Sequence, residues 1–459
     1  MKHRNNPLGS SPSQGEVRRG SRIPPLRKGR LGGVLIMFKK TKKKLYNLLR
    51  WSQKYTKTDM VYLAKGGFWL NLGQGIASVA GLGLAVAFAN LLPPETYGTF
   101  KFVVSFVAIL SIPTLNGMNT ALVRAVARGK EGTFYPILKT KMKWGVFGAL
   151  GALLLAGYYF YNDNSTLAIS FLIMAGFIPF LNTLNIWMQY LQGKKNFKAL
   201  AQRQSSMKVS TVAIMILALF FTQNLFIILF IHFAANTLIR VAIMLFTLKK
   251  YPPNTKKDPP SIGYGKHLSL MGILGPIAKQ LDKILIFHFL GPVPVAVYTF
   301  ALRPINEIKK PLQSLGKLAL PKLSQRKATE LQESVPGKML KLLLLLLPIV
   351  AIYILIAPYF YQFLFPQYTE ATVYSQIFAL SLLLFPKFLM GQTLTAHALK
   401  KQLYTLQITG PSFKIILLLI LLPLWGIWGA IIALMATEVF GLLLLLYFFH
   451  RKKDFQQAD

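Results

Sequence analysis

Long apolar stretches alternate with short polar stretches along most of this chain of 459 residues. A helix needs about 20 consecutive apolar residues to cross the hydrocarbon core of a bilayer. Stretches that meet this requirement are centred near residues 78, 108, 150, 177, 211, 236, 280, 307, 351, 384, 414 and 438. The pattern predicts an all-α polytopic membrane protein with twelve transmembrane helices. A composition of 53% hydrophobic and only 15% charged residues agrees with this prediction.

Lysine and arginine residues occupy every second link between the predicted helices. The basic links lie at residues 124–143, 194–203, 249–257, 317–341, 400–401 and 451–453. The other links contain no lysine or arginine, and they read FANLLPPETYG, YYFYNDNST, FFTQNL, FLGPVPVAV, QFLFPQYTEA and LLPLWGIW. Because basic links stay on the cytoplasmic side, we expect both termini to be cytoplasmic in a multi-pass inner-membrane protein. Most of the formal charge of +39 is then a topology signal that also favours contact with anionic membrane lipids.

The two ends of the chain are predicted to lie outside the membrane. Residues 1–36 are rich in Gly, Ser, Pro and Arg and predict a disordered basic leader, or a mis-assigned translation start upstream of Met37. Residues 37–60 predict a basic amphipathic segment on the cytoplasmic face, or a plain topogenic charge cluster. Residues 451–459 form a cytoplasmic tail.

Several kinds of chemistry find no support in the sequence. The chain has no cysteine, and its six histidines lack metal-ligand spacing, so we expect neither a metal site nor a cofactor. No soluble basic module with aromatic platforms is visible, and nucleic-acid binding is therefore not expected. A phosphate-cradling GxxxxGK[ST] loop is also missing, which argues against ATP-driven chemistry.

An internal repeat divides the predicted helices into two halves. FANLLPPETYGTFKF at residues 88–102 resembles FHFLGPVPVAVYTFAL at residues 287–302, since in both a helix ends, a Pro-containing turn follows and an aromatic-Thr-Phe sequence opens the next helix. Chance similarity of two turns is the competing explanation. The repeat predicts six-helix bundles at residues 61–250 and 263–450, related by an axis along the membrane normal, with an extended and solvated cytoplasmic linker at 251–262.

The chain resembles the polysaccharide and oligosaccharide-lipid flippases of the multidrug/oligosaccharidyl-lipid/polysaccharide (MOP) exporter superfamily. The resemblance rests on FANLLPPETYGTFKF, LSIPTLNGMNTALVRAVARG, LDKILIFHFLGPVPVAVYTFA, PYFYQFLFPQYTEA and LPLWGIWGAIIA. It implies a V-shaped pair of bundles around a central cavity that moves a lipid-diphosphate-linked glycan, as in lipopolysaccharide O-antigen synthesis, to the outer leaflet. Val297 departs from the family pattern, which usually has Gly before the Tyr of this turn.

Three charged residues lie inside the seventh predicted helix, which spans about residues 264–290. Lys279, Asp282 and Lys283 are spaced so that they share one helix face. Charges at this depth are costly, so they normally face a cavity or a partner. We expect either a net positive face that binds substrate or a structural ion pair with a neighbouring helix.

Further charges extend this cationic pattern. Arg303 and Glu307 are four residues apart on the eighth predicted helix and can pair along one face. Lys101 and Lys387 are single cations that either line the cavity or reach an interface, the second explanation being favoured for Arg240 and Lys414. Amides within the first and fourth helices either line the cavity or bond between helices, and they are Asn71, Gln74, Asn182, Asn185 and Gln189.

The hinges that a rocking transporter requires are predicted at helix-breaking residues. These candidates are Pro113, Gly117, Pro276 and Pro386.

The sequence therefore predicts a flippase rather than an enzyme. The resemblance implies that its substrate is a glycan on an isoprenoid diphosphate carrier, and the intramembrane cations agree with this because Lys and Arg bind phosphate oxygens strongly where water is scarce. An H⁺ or Na⁺ gradient, the membrane potential or downstream use of the product would drive transport. One alternative is a multidrug or cation exporter, which would need acidic residues in the first bundle. Another is a membrane glycan polymerase or glycosyltransferase, which would need a larger outer loop.

Overall fold

The computed structural model describes residues 60–323, 326–397 and 399–451. Within these ranges the chain forms helices joined by short turns and contains no β-strand, which confirms the predicted all-α class. The helices of the first half are α1 (Met60–Leu91), α2 (Pro94–Leu110), α3 (Gly117–Ala127), α4 (Phe134–Tyr161), α5 (Ser165–Leu181), α6 (Ile186–Gly193), α7 (Phe197–Phe221) and α8 (Leu225–Lys250). Those of the second half are α9 (Pro260–Met271), α10 (Leu274–Leu290), α11 (Pro292–Leu323), α12 (Ala328–Leu364), α13 (Ala371–Ala379), α14 (Phe388–Ala396) and α15 (Lys400–His450). The segments predicted at 1–36, 37–60 and 451–459 lie almost entirely outside the described residues.

The helical surface is suited to a lipid environment. Nine helical segments of the described residues are long and apolar enough to cross a membrane. Large side chains such as Leu154, Phe221 and Leu355 are more than 70% exposed on the outside, which hydrocarbon tolerates and water does not. The protein is thus a multi-pass membrane protein. The count of twelve stays a prediction, because α9 and α10 are short and α11 carries several charges.

Helix α15 is a hairpin of two antiparallel helices. Gly426 has φ 56° and ψ −133°, which are not helical angles. The rings of Phe413 and Phe440 stack with centroids 4.4 Å apart, whereas a straight helix would separate them by about 40 Å at about 1.5 Å per residue. A Cβ at Gly429 would lie 1.9 Å from the Leu421 carbonyl oxygen, so the return of the chain requires glycine there.

Four of the predicted continuous helices are broken, and in one of them the turn Thr183–Asn185 separates α5 from α6. The turn Ile112–Thr114 separates α2 from α3, and residues 380–387 separate α13 from α14. The predicted single helix over about 264–290 is also wrong, because α9 ends at Met271 and α10 begins at Leu274. A physical reason is available in Pro276, which has no N–H to donate to the carbonyl of Gly272 one turn earlier.

Helices of the two halves pack closely against each other. Helix α2 contacts α10 and α11, and α3 contacts α9. A Cβ at Gly98 would lie 1.8 Å from the Pro292 carbonyl oxygen, so only glycine permits this approach of α2 to α11. Where α3 meets α9, the Gly117 N–H donates to Ser269 Oγ at 2.9 Å.

The segment between α8 and α9 is mostly exposed, and hydrogen bonds anchor it to the first half. Asn254 Oδ1 accepts hydrogen bonds from the Glu131 and Gly132 N–H groups at 3.1 and 3.3 Å. The Asp258 N–H donates to Thr133 Oγ1 at 2.8 Å. The hydrogen bond that the Ser261 hydroxyl donates lowers the pKa of Asp258 below its usual value, and nearby Lys130 acts in the same direction. This connection therefore ties the start of α9 to the turn before α4.

Candidate functional site

A cavity with predominantly basic walls lies between the two halves. Its volume is about 470 Å³, and we call it the cationic compartment. Its charged lining residues are Lys101, Lys279, Lys283, Arg303, Lys309, Lys310 and Glu307. Among the described lining residues, six basic side chains thus face a single acid. Helices α2, α10 and α11 supply these residues, so both halves contribute to the compartment.

Three of these cations, Lys101, Lys279 and Lys309, have no carboxylate within 4 Å in the described part of the chain. Lys309 Nζ donates instead to Ser381 Oγ at 2.7 Å. Lys101 Nζ lies over the ring of Tyr97, 5.1 Å from its centroid, and the rings of Phe88 and Phe100 are at similar distances. No carboxylate of the described residues lies within 4 Å of the ammonium group of Lys101 or of Lys279. Neither ammonium group is therefore neutralised by the described residues, and both side chains line the cavity.

Arg303 and Glu307 form the pair that their spacing predicts. Arg303 Nε lies 3.2 Å from Glu307 Oε1, and Arg303 also donates to the Gly81 carbonyl oxygen at 2.7 Å. Lys310 Nζ contacts the same carboxylate at 2.6 Å. Lys208 lies beside this cluster, with its Cε 3.8 Å from the position of a Cβ at Gly81. Sequence reasoning missed Lys208, although a lone lysine in an apolar stretch was a usable signal.

Asp282 is separated from the cavity, in contrast to its neighbours on α10. It is 3% exposed, and its Oδ2 accepts hydrogen bonds from the Tyr298 hydroxyl at 2.8 Å and from Lys414 Nζ at 3.2 Å. Lys414 also donates to the Ala278 carbonyl oxygen at 2.6 Å. Lys283 Nζ is farther from the carboxylate, at 3.8 Å. The interfacial position favoured for Lys414 is thus wrong, because a buried carboxylate holds this lysine inside the second half.

Lys387 is not brought to the cationic compartment. Its Nζ lies 2.5 Å from Glu438 Oε2 and donates to the Glu438 carbonyl oxygen at 2.6 Å. This places the side chain between the short turn after α13 and the second arm of α15. Its predicted contact with substrate finds no geometric support.

The predicted hinge residues all lie at or beside breaks in the helices. Pro113 is in the turn that ends α2, and Leu115 follows it with a left-handed φ of 58°. Pro276 is in the first turn of α10, and Pro386 is buried in the turn Phe385–Lys387. Gly117 permits close packing, since a Cβ there would lie 2.5 Å from the Gly265 carbonyl oxygen. Hinge motion at these residues stays a prediction.

A second cavity adjoins the first and is rich in amides. It measures about 650 Å³, and we call it the amide compartment. Its polar lining residues are Ser111, Asn116, Asn182, Asn185, His232, Asn236, Arg240, Lys279 and Gln280. The two compartments share Val104, Lys279 and Gln280 as a common wall. The first half supplies most of this lining, and among these residues the sequence had indicated Asn182, Asn185 and Lys279 as candidates for a cavity.

Hydrogen bonds organise part of the amide compartment. The Asn182 amide donates to Asn116 Oδ1 at 2.5 Å and to Thr114 Oγ1 at 3.0 Å, which joins α5 to the break after α2. Arg240 donates to the Leu181 carbonyl oxygen and to Asn236 Oδ1. The interfacial position favoured for Arg240 is therefore also wrong.

Comparison with known families identifies the family to which the chain belongs. A family model described as polysaccharide biosynthesis protein matches residues 63–325, which is more than half of the sequence. The chain belongs to this polysaccharide biosynthesis protein family. Its fold is also that of solved transporters of the MOP superfamily, which the sequence resembles.

Individual relatives of this family member are distant. A protein from Shigella flexneri named as an O-antigen transporter is 20% identical over 317 residues, covering 63% of this chain and 73% of that protein. The lipid II flippase MurJ in an inward closed conformation has a TM-score of 0.60 at 15% identity, covering 85% of this chain and 89% of MurJ. An inward-facing multidrug resistance MATE family transporter has a TM-score of 0.64 at 14% identity, covering 82% and 95%. The two structures share the fold, and their different cargoes mean that the fold alone does not select a substrate.

Proposed function

We propose that this protein is a flippase that moves a lipid-diphosphate-linked oligosaccharide or polysaccharide repeat unit from the cytoplasmic to the outer leaflet by alternating access. The observation that carries the proposal is the cationic compartment, in which Lys101 and Lys279 have no acidic partner among the described residues. The family assignment and the names of the O-antigen transporter and the lipid II flippase support the same conclusion.

The charge of the compartment distinguishes a diphosphate from the main alternative cargo. A cationic drug would be repelled by six basic side chains that surround one acid, and this acid is already paired with Arg303 and Lys310. A diphosphate offers several anionic oxygens to these donors, and charge-assisted hydrogen bonds of this kind are about twice as strong as neutral ones. The isoprenoid tail can remain in the bilayer while the polar head crosses.

Alternating access also requires that contacts between the two halves open and close. Near the predicted outer ends of the helices, Tyr97 of the first half stacks on Phe300 with centroids 4.7 Å apart, and Phe300 lies 4.2 Å from Tyr368. Asn90 donates to the Leu364 carbonyl oxygen at 3.1 Å. We infer that these contacts separate when the substrate leaves. In this proposal both termini are cytoplasmic, and an H⁺ or Na⁺ gradient supplies the driving force.

Reconstitution tests the function directly. The purified protein is placed in vesicles with a fluorescent glycan on an isoprenoid diphosphate, and loss of inner-leaflet label is measured with and without an imposed H⁺ or Na⁺ gradient. We expect transport of this lipid and no uptake of a cationic dye in the same vesicles. Dye uptake without lipid transport would contradict the proposal and favour the multidrug exporter.

A cross-link tests the predicted opening. Because the chain contains no cysteine, Asn90→Cys with Leu364→Cys introduces a single pair across the two halves. Oxidation should stop transport and reduction should restore it, while either single substitution stays active in oxidant. Full activity of the oxidised pair would exclude separation at this contact.

A further inference from the structure

The amide compartment contains polar atoms that the protein itself leaves unsatisfied. Ser111 Oγ, Asn185 Oδ1 and His232 Nδ1 are buried and have no hydrogen-bond partner within the described part of the chain. Buried polar atoms are nearly always hydrogen-bonded in folded proteins, and unpaired ones call for a functional explanation. All three residues line the amide compartment, where a polar ligand would supply the missing hydrogen-bond partners.

The chemistry of the lining residues indicates what kind of ligand fits. Five side-chain amides line the compartment: Asn116, Asn182, Asn185, Asn236 and Gln280. Each amide both donates and accepts hydrogen bonds, as sugar hydroxyl and acetamido groups also do. A volume of about 650 Å³ lies within the range of about 300–1,000 Å³ that is usual for ligand sites.

Arg240 adds a charge that the protein does not neutralise. Its described acceptors are the Leu181 carbonyl oxygen and Asn236 Oδ1, both of which are neutral, and its Nε has no partner within the described residues. No acidic residue of the described ranges lines this compartment. A guanidinium with free donors at the wall of a cavity is complementary to a carboxylate, which it can bind through two oxygens.

The shared wall defines the order in which a substrate would occupy the two cavities. Lys279 and Gln280 line both compartments. In a lipid-diphosphate-linked glycan the first sugar is bonded directly to the diphosphate. A diphosphate held at Lys279 in the cationic compartment therefore directs the attached sugars across this wall into the amide compartment.

We propose that the amide compartment binds the sugar residues next to the diphosphate and that Arg240 pairs with the carboxylate of an acidic sugar among them. This inference rests on the proposed function, because the diphosphate defines where the glycan begins. It assigns the substrate class as an acidic glycan, and it makes Arg240 a specificity-determining residue.

Binding to the wild-type protein separates this inference from the proposed function. The purified protein in nanodiscs is titrated with an isoprenyl diphosphate that has no sugar, with the same lipid carrying a neutral acetamido disaccharide, and with one carrying a uronic acid. We expect affinity to rise in that order, with the uronic acid contributing about tenfold, as for a hydrogen-bonded charged group. Equal affinity for all the lipids would overturn the inference and leave the proposed function intact. No binding of any lipid would refute the proposed function.

Substitutions then assign the effect to the compartment. Arg240→Gln should remove the preference for the uronic acid and keep wild-type affinity for the sugar-free lipid, and Arg240→Lys should restore part of the preference. Asn185→Leu should weaken both sugar-bearing lipids and leave the sugar-free lipid unchanged. Lys256→Gln, in the solvated linker, is the matched control and should bind like wild type. If Arg240→Gln retains the uronic-acid preference, Arg240 is not the residue that binds the carboxylate.

Discussion

The two halves of the molecule differ in how their charged side chains are paired. In the second half, Asp282, Glu307 and Glu438 each lie within 4 Å of a lysine or arginine. In the first half, Arg240 bonds only to neutral groups among its described acceptors, and Lys101 lies over aromatic rings. Paired charges of the second half thus lie close to unpaired cations that come from both halves, since Lys279 of the second half also has no carboxylate within 4 Å among the described residues.

This difference indicates which charges support the structure and which are available to a ligand. A buried ion pair is close to neutral as a unit, and removal of one partner leaves an uncompensated charge. An unpaired intramembrane cation costs free energy in the empty protein and is retained where it has a function. The contrast on α10 is the sharpest, since Asp282 pairs with Lys414 while Lys279, less than one turn away, lines both compartments.

The largest expected effect comes from breaking the buried pair in the second half. Asp282→Asn or Lys414→Met should each lower the free energy of unfolding by about 3–5 kcal/mol, because each leaves one buried charge without its partner. The double variant Asp282→Leu with Lys414→Met should recover most of this loss. Thermal unfolding in detergent measures all three proteins. Additive losses in the double variant would show that the two residues are not coupled.

Neutralising an unpaired cation should reduce transport without lowering stability. Lys279→Gln and Lys101→Gln should each reduce lipid transport by about tenfold or more, as expected for the loss of a hydrogen bond from a charged group. The unfolding temperature should stay the same or rise, because an intramembrane charge has been removed. Flipping assays and thermal unfolding are run on the same preparations, with Lys256→Gln as the exposed control. A large loss of stability with normal transport per folded molecule would place these lysines among the structural charges.

A smaller effect is expected at Lys387. This lysine tests whether a charge of the second half supports the structure or binds the substrate. Because its ammonium pairs with Glu438 away from both compartments, Lys387→Gln should reduce stability and leave transport unchanged. Its loss of stability should be less than that of Asp282→Asn, since the Glu438 side chain is 36% exposed and Asp282 only 4%. Transport that falls as far as in Lys279→Gln would restore Lys387 to the substrate site.

The smallest effect concerns the linker outside the membrane. The Ser261 hydroxyl lowers the pKa of Asp258 below its value in the unfolded chain. The ionised carboxylate therefore contributes stability above the unfolded pKa of about 3.9, and this contribution is lost as pH falls through the lower folded pKa. Ser261→Ala should lower the unfolding temperature slightly near neutral pH, and the difference from wild type should shrink below about pH 4. A difference that does not vary with pH would assign the effect to helix capping rather than to Asp258.

The membrane class was predictable from local pattern alone. Burial in lipid requires long apolar helices, and the sequence around Leu154 or Leu355 meets that requirement whatever its neighbours are. The positions of helix breaks were partly predictable, because Pro113, Pro276 and Pro386 each disrupt the local ladder of hydrogen bonds. The extent of each break was not, since the left-handed Leu115 depends on how α3 docks on α9.

The sequence by itself determined that this protein crosses a membrane, belongs to a polysaccharide biosynthesis protein family and places cations such as Lys279 within a helix. These properties depend on composition and on short-range spacing, and both can be read directly from the amino-acid sequence. Only the tertiary structure decided which charges are paired, because Asp282 and Lys414 are 132 residues apart and meet through the packing of α10 on α15. The same holds for the amide compartment, whose walls come from separate helices. Each amide is unremarkable in its own stretch of sequence, and their shared cavity exists only after the helices have packed.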